Sequence, residues 1–134
     1  MQTLSFTIRG NQEDPTGNPV PYTRVLNHSW RGDSKRYMKW LDYVRAEFVS
    51  QVGTHGAVAA FYAGKPPIVL GKEERAQVAI KVYWRDGSHG DLDNVLKGIL
   101  DALFENDKRV NGLKASSEMS RDKRGRVEVI ITLP

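Results

Sequence analysis

Residues 91–103 have the sequence Asp-Leu-Asp-Asn-Val-Leu-Lys-Gly-Ile-Leu-Asp-Ala-Leu and carry more information than any other stretch of the chain. Their apolar residues recur at intervals of three and four, which predicts an amphipathic α-helix with one wide apolar face. At about 100° per residue, Asp93, Lys97 and Asp101 lie within an arc of about 80° on the opposite face. The helix is therefore expected to bury its apolar face and to present three charged side chains to solvent.

The sequence on either side of this helix predicts an α+β fold. Alternating apolar residues predict three strands, at residues 3–9, 77–84 and 127–133, and a fourth strand is expected at residues 110–120. Prolines make residues 10–25 a loop or extended arm, a helix capped by Asp33 or Ser34 is expected to end near Gln51, and residues 53–71 are expected to be partly extended. We therefore expect a single domain over residues 1–134, with a small, mostly antiparallel sheet and helices packed on one of its faces.

The composition is that of a small globular protein. The chain has 134 residues, of which 40% are hydrophobic, and it has no run of 18 apolar residues, so neither a transmembrane helix nor a signal peptide is expected. The absence of cysteine excludes disulfides and cysteine-based zinc sites. No glycine-rich phosphate loop is present, so no nucleotide cofactor is expected. A cytoplasmic location is the resulting expectation.

The charge is divided between two neighbouring segments, although the whole chain carries a net charge of only +4. Residues 86–107 contain six acidic residues and one lysine, a net charge of −5, whereas residues 108–126 contain seven basic and two acidic residues, a net charge of +5. An acidic segment next to a basic one has two interpretations. It is either ordinary solvated surface or a site that binds a polyanion together with a cation.

The carboxylates at the start of the predicted helix have two interpretations. In the structural one, an aspartate caps the helix and Asp93 forms an i,i+4 ion pair with Lys97. In the catalytic one, Asp91 and Asp93 bind a divalent cation, because one cap suffices for one helix and uncompensated carboxylates would repel a nucleic acid held by the basic segment. Mg²⁺ suits this role, since one or two carboxylates together with substrate phosphate hold it. The spacing alone leaves both interpretations open.

A known family shares this arrangement of polar residues. Over about residues 77–110 the chain resembles the RusA-type Holliday-junction resolvases, in the motif Asp91-Leu-Asp93-Asn94-x-x-Lys97-x-x-x-Asp101-Ala-Leu103 followed by Asp107. These are small homodimeric endonucleases, encoded mainly by bacteria and their phages, that act in DNA recombination and repair. The resemblance implies a RusA-like fold and a Mg²⁺-dependent enzyme, with Mn²⁺ as a substitute cation, that resolves four-way DNA by paired symmetric nicks.

The resemblance also implies roles for individual residues. Three carboxylates match the family's catalytic, metal-binding positions: Asp91, Asp93 and Asp107. Lys97 matches the essential lysine, which would contact the scissile phosphate or stabilise developing charge. Two further motif residues match supporting positions that orient the metal ligands: Asn94 and Asp101.

The chain departs from the family pattern in two places, and the second departure shifts the expected DNA contacts. The segment between Asp101 and Asp107 is shorter than in many members, and the basic residues that often precede the first aspartate are absent. His89 stands there instead and is expected to be incidental to the site. DNA contacts are expected at nine basic residues of the arm, the two helices and the segment after Asp107: Arg24, Lys35, Arg36, Lys97, Lys108, Arg109, Arg121, Lys123 and Arg124.

Two other functions stay open at this level. One is a non-catalytic, structure-selective DNA-binding module on the same fold. The other is a structural protein whose charged helix is only a salt-bridged amphipathic element, in which case replacing Asp93 by Asn would cost stability.

Overall fold

The computed structural model describes residues 1–24, 32–53 and 55–134, with the side chains of residues 32, 33, 55 and 56 excepted. The elements are β1 (Gln2–Arg9), α1 (Gly32–Val52), α2 (His55–Tyr62), β2 (Ala76–Trp84), α3 (Leu92–Leu103), a 3₁₀ turn (Asp107–Arg109), β3 (Val110–Met119) and β4 (Arg126–Leu133). The four predicted strands and both predicted helices are confirmed. The proposed Asp33 cap lies outside the described side chains. Among the described residues, no helix is long and apolar enough to span a bilayer.

The four strands form one mixed sheet in the order β1-β4-β2-β3. β4 pairs antiparallel with both β1 and β2, whereas β3 pairs parallel with β2. The parallel pair follows from the connection, because α3 returns the chain from the end of β2 to the start of β3 as in a βαβ unit. The α+β prediction of a mostly antiparallel sheet is confirmed, since two of the three strand pairs are antiparallel.

One face of the sheet is buried and forms one side of the hydrophobic core. The alternating residues of three strands are buried there: Phe6 and Ile8 of β1, Val78, Ile80, Val82 and Trp84 of β2, and Val127, Val129 and Ile131 of β4. β3 differs because it is an outer strand and is exposed along most of its length. The core therefore lies over three strands, and β3 extends the sheet beyond it.

The two long helices pack on this buried face of the sheet and against each other. α3 buries Val95, Ile99, Ala102 and Leu103, and α1 buries Tyr37, Trp40, Val44 and Phe48. Gly98 allows the close approach, because a Cβ at this position would lie 3.2 Å from the Tyr37 ring. Arg45 of α1 is buried and its Nε donates to the Ala102 carbonyl at 2.8 Å, which satisfies a carbonyl in the last turn of α3.

Residues 55–62 correct the expectation for the segment 53–71. They form α2 instead of an extended chain, because a run of small apolar residues with high helix propensity, from Ala57 to Ala60, can bury one side against the core. The extended character is confined to the following residues, where Ile68 forms an isolated bridge with Phe104.

The start of the arm is fastened to the β3–β4 turn through two glycines. Gly10 N–H donates to the Gly125 carbonyl at 2.8 Å, and Gly125 N–H donates to the Thr16 carbonyl at 3.0 Å. Gly10 has φ +57°, in the left-handed region that favours glycine. A Cβ at Gly125 would lie 2.0 Å from the Gly17 carbonyl oxygen, so no side chain fits without moving backbone.

We expect Gly125→Ala to destabilise the fold by about 1–3 kcal/mol, because the added methyl group overpacks a backbone contact. Gly87→Ala is the matched control, since a Cβ there meets nothing within 4 Å. Urea unfolding of both variants measures the difference. Equal midpoints for the two variants would contradict the proposed packing of the arm.

Candidate active site

β2, a short turn and α3 place Asp91 and Asp93 together at one end of the sheet. Asp91 is the N-cap residue of α3, with extended backbone angles of φ −70° and ψ 143°. Its carbonyl accepts a helical hydrogen bond from Val95 N–H at 3.1 Å. Both aspartate side chains are exposed, and the free N–H groups of the first turn favour negative charge there.

The structural roles that the spacing allowed for these carboxylates are not realised. Asp91 makes no side-chain capping bond, and Asp93 Oδ1 accepts only a local bond from Asn94 N–H at 3.0 Å. Lys97 Nζ lies 3.9 Å from the centroid of the Tyr22 ring. The interpretation of Asp93 and Lys97 as an i,i+4 ion pair is therefore wrong, and within the described chain neither Asp91 nor Asp93 has a cationic partner.

A hydrogen-bonded network supports the turn that precedes Asp91. Asn18 Nδ2 donates to Asp86 Oδ1 and to the Ser88 carbonyl, both at 3.0 Å. Arg85 bridges two carboxylates, with Nε 3.0 Å from Asp86 Oδ2 and a terminal nitrogen 2.5 Å from Asp14 Oδ2. The Ser88 N–H, followed by Arg85, holds the pKa of Asp86 below its usual value. Asp86 therefore has a structural role, because it stabilises the contact between the turn and the arm.

His89 packs within the same turn. Its ring stacks on Trp84 with centroids 3.9 Å apart and an interplanar angle of 4°, and its Nδ1 lies 2.7 Å from the Gly90 carbonyl oxygen. The expectation that His89 is incidental to the site agrees with these contacts. Gly90 lies against the arm, because a Cβ there would be 2.8 Å from Pro21.

The supporting residues Asn94 and Asp101 contact aromatic residues that the motif does not contain. Tyr22 N–H donates to the Asn94 carbonyl at 2.9 Å, and Tyr37 hydroxyl donates to Asp101 Oδ2 at 2.9 Å. Burial, followed by the Asp101 carboxylate, raises the pKa of Tyr37 and keeps its hydroxyl protonated. Sequence patterns gave no signal for Tyr22, because a tyrosine in a proline-rich loop has no periodicity that assigns it a neighbour.

Asp107 is not brought to the other two carboxylates within one chain. It begins the 3₁₀ turn that follows α3, and the 12 residues of α3 span about 18 Å between Asp91 and that turn. Among the described residues, no group of three acidic or histidine side chains could hold a metal ion. The three predicted ligands therefore form a pair and a distant single carboxylate.

The predicted DNA-binding residues fall at both ends of the sheet. Met119 pairs with Trp84, so the β3–β4 turn lies at the same end as Asp91 and carries three exposed cations: Arg121, Lys123 and Arg124. Lys108 and Arg109 lie beside Asp107 at the other end of β3, about 30 Å away for a strand of this length. The basic segment is thus two separate surfaces.

The predicted DNA-binding residues of the arm and of α1 are exposed. Arg24 and Lys35 are exposed, and Arg36 forms an ion pair with Glu13 of the arm. Arg109 donates to the Lys72 carbonyl at 2.9 Å. Of the two cations beside Asp107, Lys108 is therefore the more available for binding a ligand.

The carboxylate pair fits a hard divalent cation. Asp91 and Asp93 supply oxygen donors, which Mg²⁺ and Mn²⁺ prefer, and neither carboxylate is neutralised by a cation of the described chain. Two carboxylates leave most of an octahedral coordination shell to water and substrate phosphate, which is the usual arrangement for Mg²⁺. Histidine and cysteine are not needed for such a site.

A comparison with known protein families identifies the family of this chain. The model of the family described as endodeoxyribonuclease RusA matches residues 15–132 of the chain, a stretch that includes most of the arm, both long helices and every predicted site residue. No curated protein matches the chain.

This match defines the class of protein as an endodeoxyribonuclease, a hydrolase that cuts phosphodiester bonds within DNA. Within that class, the chain belongs to the RusA family. Membership implies endonuclease activity that resolves Holliday junctions and the binding of branched DNA, with a place in recombination.

We expect Asp93→Ala to change the free energy of unfolding by less than about 1 kcal/mol, because the carboxylate supports only a local hydrogen bond and the helix dipole. Asp101→Ala is the contrasting variant. It removes the acceptor of the buried Tyr37 hydroxyl, at a cost of about 1–3 kcal/mol.

Thermal or urea unfolding of the two variants measures this contrast. A loss of stability in Asp93→Ala equal to that in Asp101→Ala would favour the structural interpretation of the charged helix.

Proposed function

We propose that the protein is a Mg²⁺-dependent Holliday-junction resolvase that works as a homodimer and introduces paired, symmetric nicks. The observation that carries the proposal is the pair of exposed carboxylates at the start of α3, Asp91 and Asp93. Asp91 makes no side-chain capping bond, and within the described residues neither carboxylate forms an ion pair. The helix dipole offsets only part of the repulsion between two adjacent carboxylates, and a cation bound together with the phosphate of the substrate would offset the rest.

Each residue of the proposed site has a distinct task. Asp91, Asp93 and Asp107 would hold Mg²⁺ or Mn²⁺, which supplies a Lewis acid that offsets phosphate charge and favours ionisation of water. Lys97 lies about one helical turn after Asp93 on the same face of α3 and would contact the scissile phosphate as charge develops on it.

The third carboxylate is best supplied by the second protomer. α3 separates Asp107 from Asp91 and Asp93 of its own chain by about its full length, and packing of the α3 apolar face keeps that distance rigid. In a two-fold dimer, the Asp107 end of one protomer can meet the Asp91 end of its partner at two equivalent places. Lys108 would then accompany Asp107 to the site and add a cation for the phosphate backbone.

The two-fold symmetry matches the substrate, because a four-way junction has two opposed strands that must both be cut. The exposed cations of the β3–β4 turn lie at the carboxylate end, where they would follow the phosphate backbone together with the exposed cations of the arm and α1. We infer junction selectivity from the spacing of these surfaces in the dimer. The proposed substrate places the protein in DNA recombination and repair, in the cytoplasm of a bacterium or of a phage-infected cell.

Incubation with a synthetic four-way junction tests the enzyme directly. We expect paired nicks with Mg²⁺ or Mn²⁺, none with EDTA, and a fall of at least about 100-fold for Asp93→Asn, because a metal ligand is lost. Tight junction binding without nicks in either cation would favour the non-catalytic DNA-binding module instead.

Mixing two inactive variants tests the shared site. Asp93→Asn and Asp107→Asn homodimers should both be inactive, whereas the heterodimer, formed by co-expression with two different affinity tags, should regain one intact site. The expected product is a single nick without resolution. An inactive heterodimer would show that Asp107 does not act on the partner's carboxylates, while cleavage by the wild type would leave the enzyme assignment standing.

A further inference from the structure

The ammonium of Lys97 is held by an aromatic ring instead of a carboxylate. Asp93 and Asp101 lie four residues before and after it on the same helix face, within the reach of an ordinary i,i+4 ion pair. Lys97 Nζ nevertheless lies 3.9 Å from the centroid of the Tyr22 ring. A cation–π contact of this length is attractive without neutralising the positive charge, so Lys97 keeps its charge for another partner.

Tyr22 is held in place by contacts with two helices. Its backbone N–H donates to the Asn94 carbonyl in the first turn of α3 at 2.9 Å. Its ring meets Tyr37 of α1 edge-on, with centroids 5.4 Å apart and an interplanar angle of 77°. Tyr37 is buried and its hydroxyl donates to Asp101 Oδ2 at 2.9 Å. Tyr22 is therefore supported by α1 and by the same helix that carries Lys97.

We propose that Tyr22 is a positioning residue for Lys97: its ring face holds the ammonium beside the Asp91–Asp93 pair, where it meets the scissile phosphate. This inference rests on the proposed function for its catalytic consequence, and on the Tyr22, Tyr37 and Asp101 contacts for its geometry. A lysine side chain has four rotatable bonds, so an unsupported ammonium would occupy many positions. Because the Tyr22 ring already restricts the ammonium, the entropy cost of ordering the Lys97 side chain does not add to the barrier of the reaction.

The same contacts give the motif residue Asp101 a physical role. Asp101 holds Tyr37, against which the Tyr22 ring packs, and it would support Lys97 through α1 and the arm. Asn94 contributes only its backbone carbonyl to Tyr22, so this contact assigns no role to its side chain.

The decisive comparison is Tyr22→Leu with Tyr22→Phe. Leucine keeps an apolar contact with Tyr37 but removes the ring face, whereas phenylalanine keeps the face and removes only the hydroxyl. We expect Tyr22→Leu to slow single-turnover cleavage of a bound four-way junction by about 3- to 30-fold, the range of a cation–π contact, with the junction Kd unchanged. Tyr22→Phe should restore cleavage to within about twofold.

Three outcomes would overturn the proposal. If Tyr22→Leu weakens junction binding but leaves cleavage of the bound complex unchanged, Tyr22 contacts DNA itself. If Tyr22→Phe is as slow as Tyr22→Leu, the hydroxyl is the active group. If Tyr22→Leu slows cleavage by the same factor in a Lys97→Ala background, Tyr22 does not act through Lys97, because residues that act together show non-additive effects.

A measurement on the metal-free protein separates this proposal from the proposed function. In NMR spectra the Lys97 ε-methylene protons should be shifted upfield by the Tyr22 ring current, and the shift should persist in Tyr22→Phe and vanish in Tyr22→Leu. Tyr62→Leu, at an exposed tyrosine of α2, is the control that should leave it unchanged. Unshifted Lys97 protons in the wild type would refute the positioning contact even if the enzyme cleaves junctions, and shifted protons would support it even if no cleavage is found.

Discussion

Burial of the apolar face of α3 is the constraint on which the rest of the structure depends. Val95, Ile99 and Leu103 are fully buried, and each such side chain contributes about 1.5–3 kcal/mol by leaving water. This burial fixes the rotation of the helix about its axis, so Asp93 and Lys97 face solvent, whereas Asp101 lies at the edge of the core against Tyr37. It also fixes both helix ends, since α3 connects the end of β2 to the start of the parallel strand β3.

The position of the carboxylate pair follows from this geometry. β2 ends at Trp84, and a turn braced by Asn18 and Arg85 brings the chain to the start of α3. Asp91 and Asp93 are thus held on a rigid helix end, next to a supported turn. Local electrostatics favours this arrangement only in part: the helix dipole attracts negative charge, but the two carboxylates repel each other, and a bound cation would remove that repulsion.

The arm contacts both the β3–β4 turn and α3, the helix that carries most of the proposed site. Residues 10–24 contain no regular secondary structure, yet they are fastened at Gly10 to the β3–β4 turn and at Tyr22 to α3. Because the arm passes the carboxylate end of the sheet, it brings an aromatic ring to Lys97 and a cation, Arg24, to the same region. A loop that is pinned at two points can position side chains almost as well as a helix or a strand.

Periodicity in the sequence was sufficient to predict β1, β2, β4, the two long helices and most of their buried residues. The reason is that alternation in β2 and β4, and three-to-four spacing in α3, report directly on which side chains leave water. It failed for α2, where the small apolar residues from Ala57 to Ala60 favour helix but form no amphipathic pattern long enough to be distinguished from an extended run.

For the candidate site, too, some relations between residues could be predicted from the sequence and others only from the tertiary structure. The sequence by itself determined the pair Asp91 and Asp93 and the lysine on their helix face, because all three lie within two helical turns and their relation is local. The separation of Asp107 from that pair also follows from a local quantity, the length of α3. Only the tertiary structure decided that Lys97 contacts Tyr22 instead of Asp93, and that the β3–β4 turn lies at the carboxylate end of the sheet. Those relations depend on how a proline-containing arm packs and on which strands pair, and neither is encoded in the spacing of neighbouring residues.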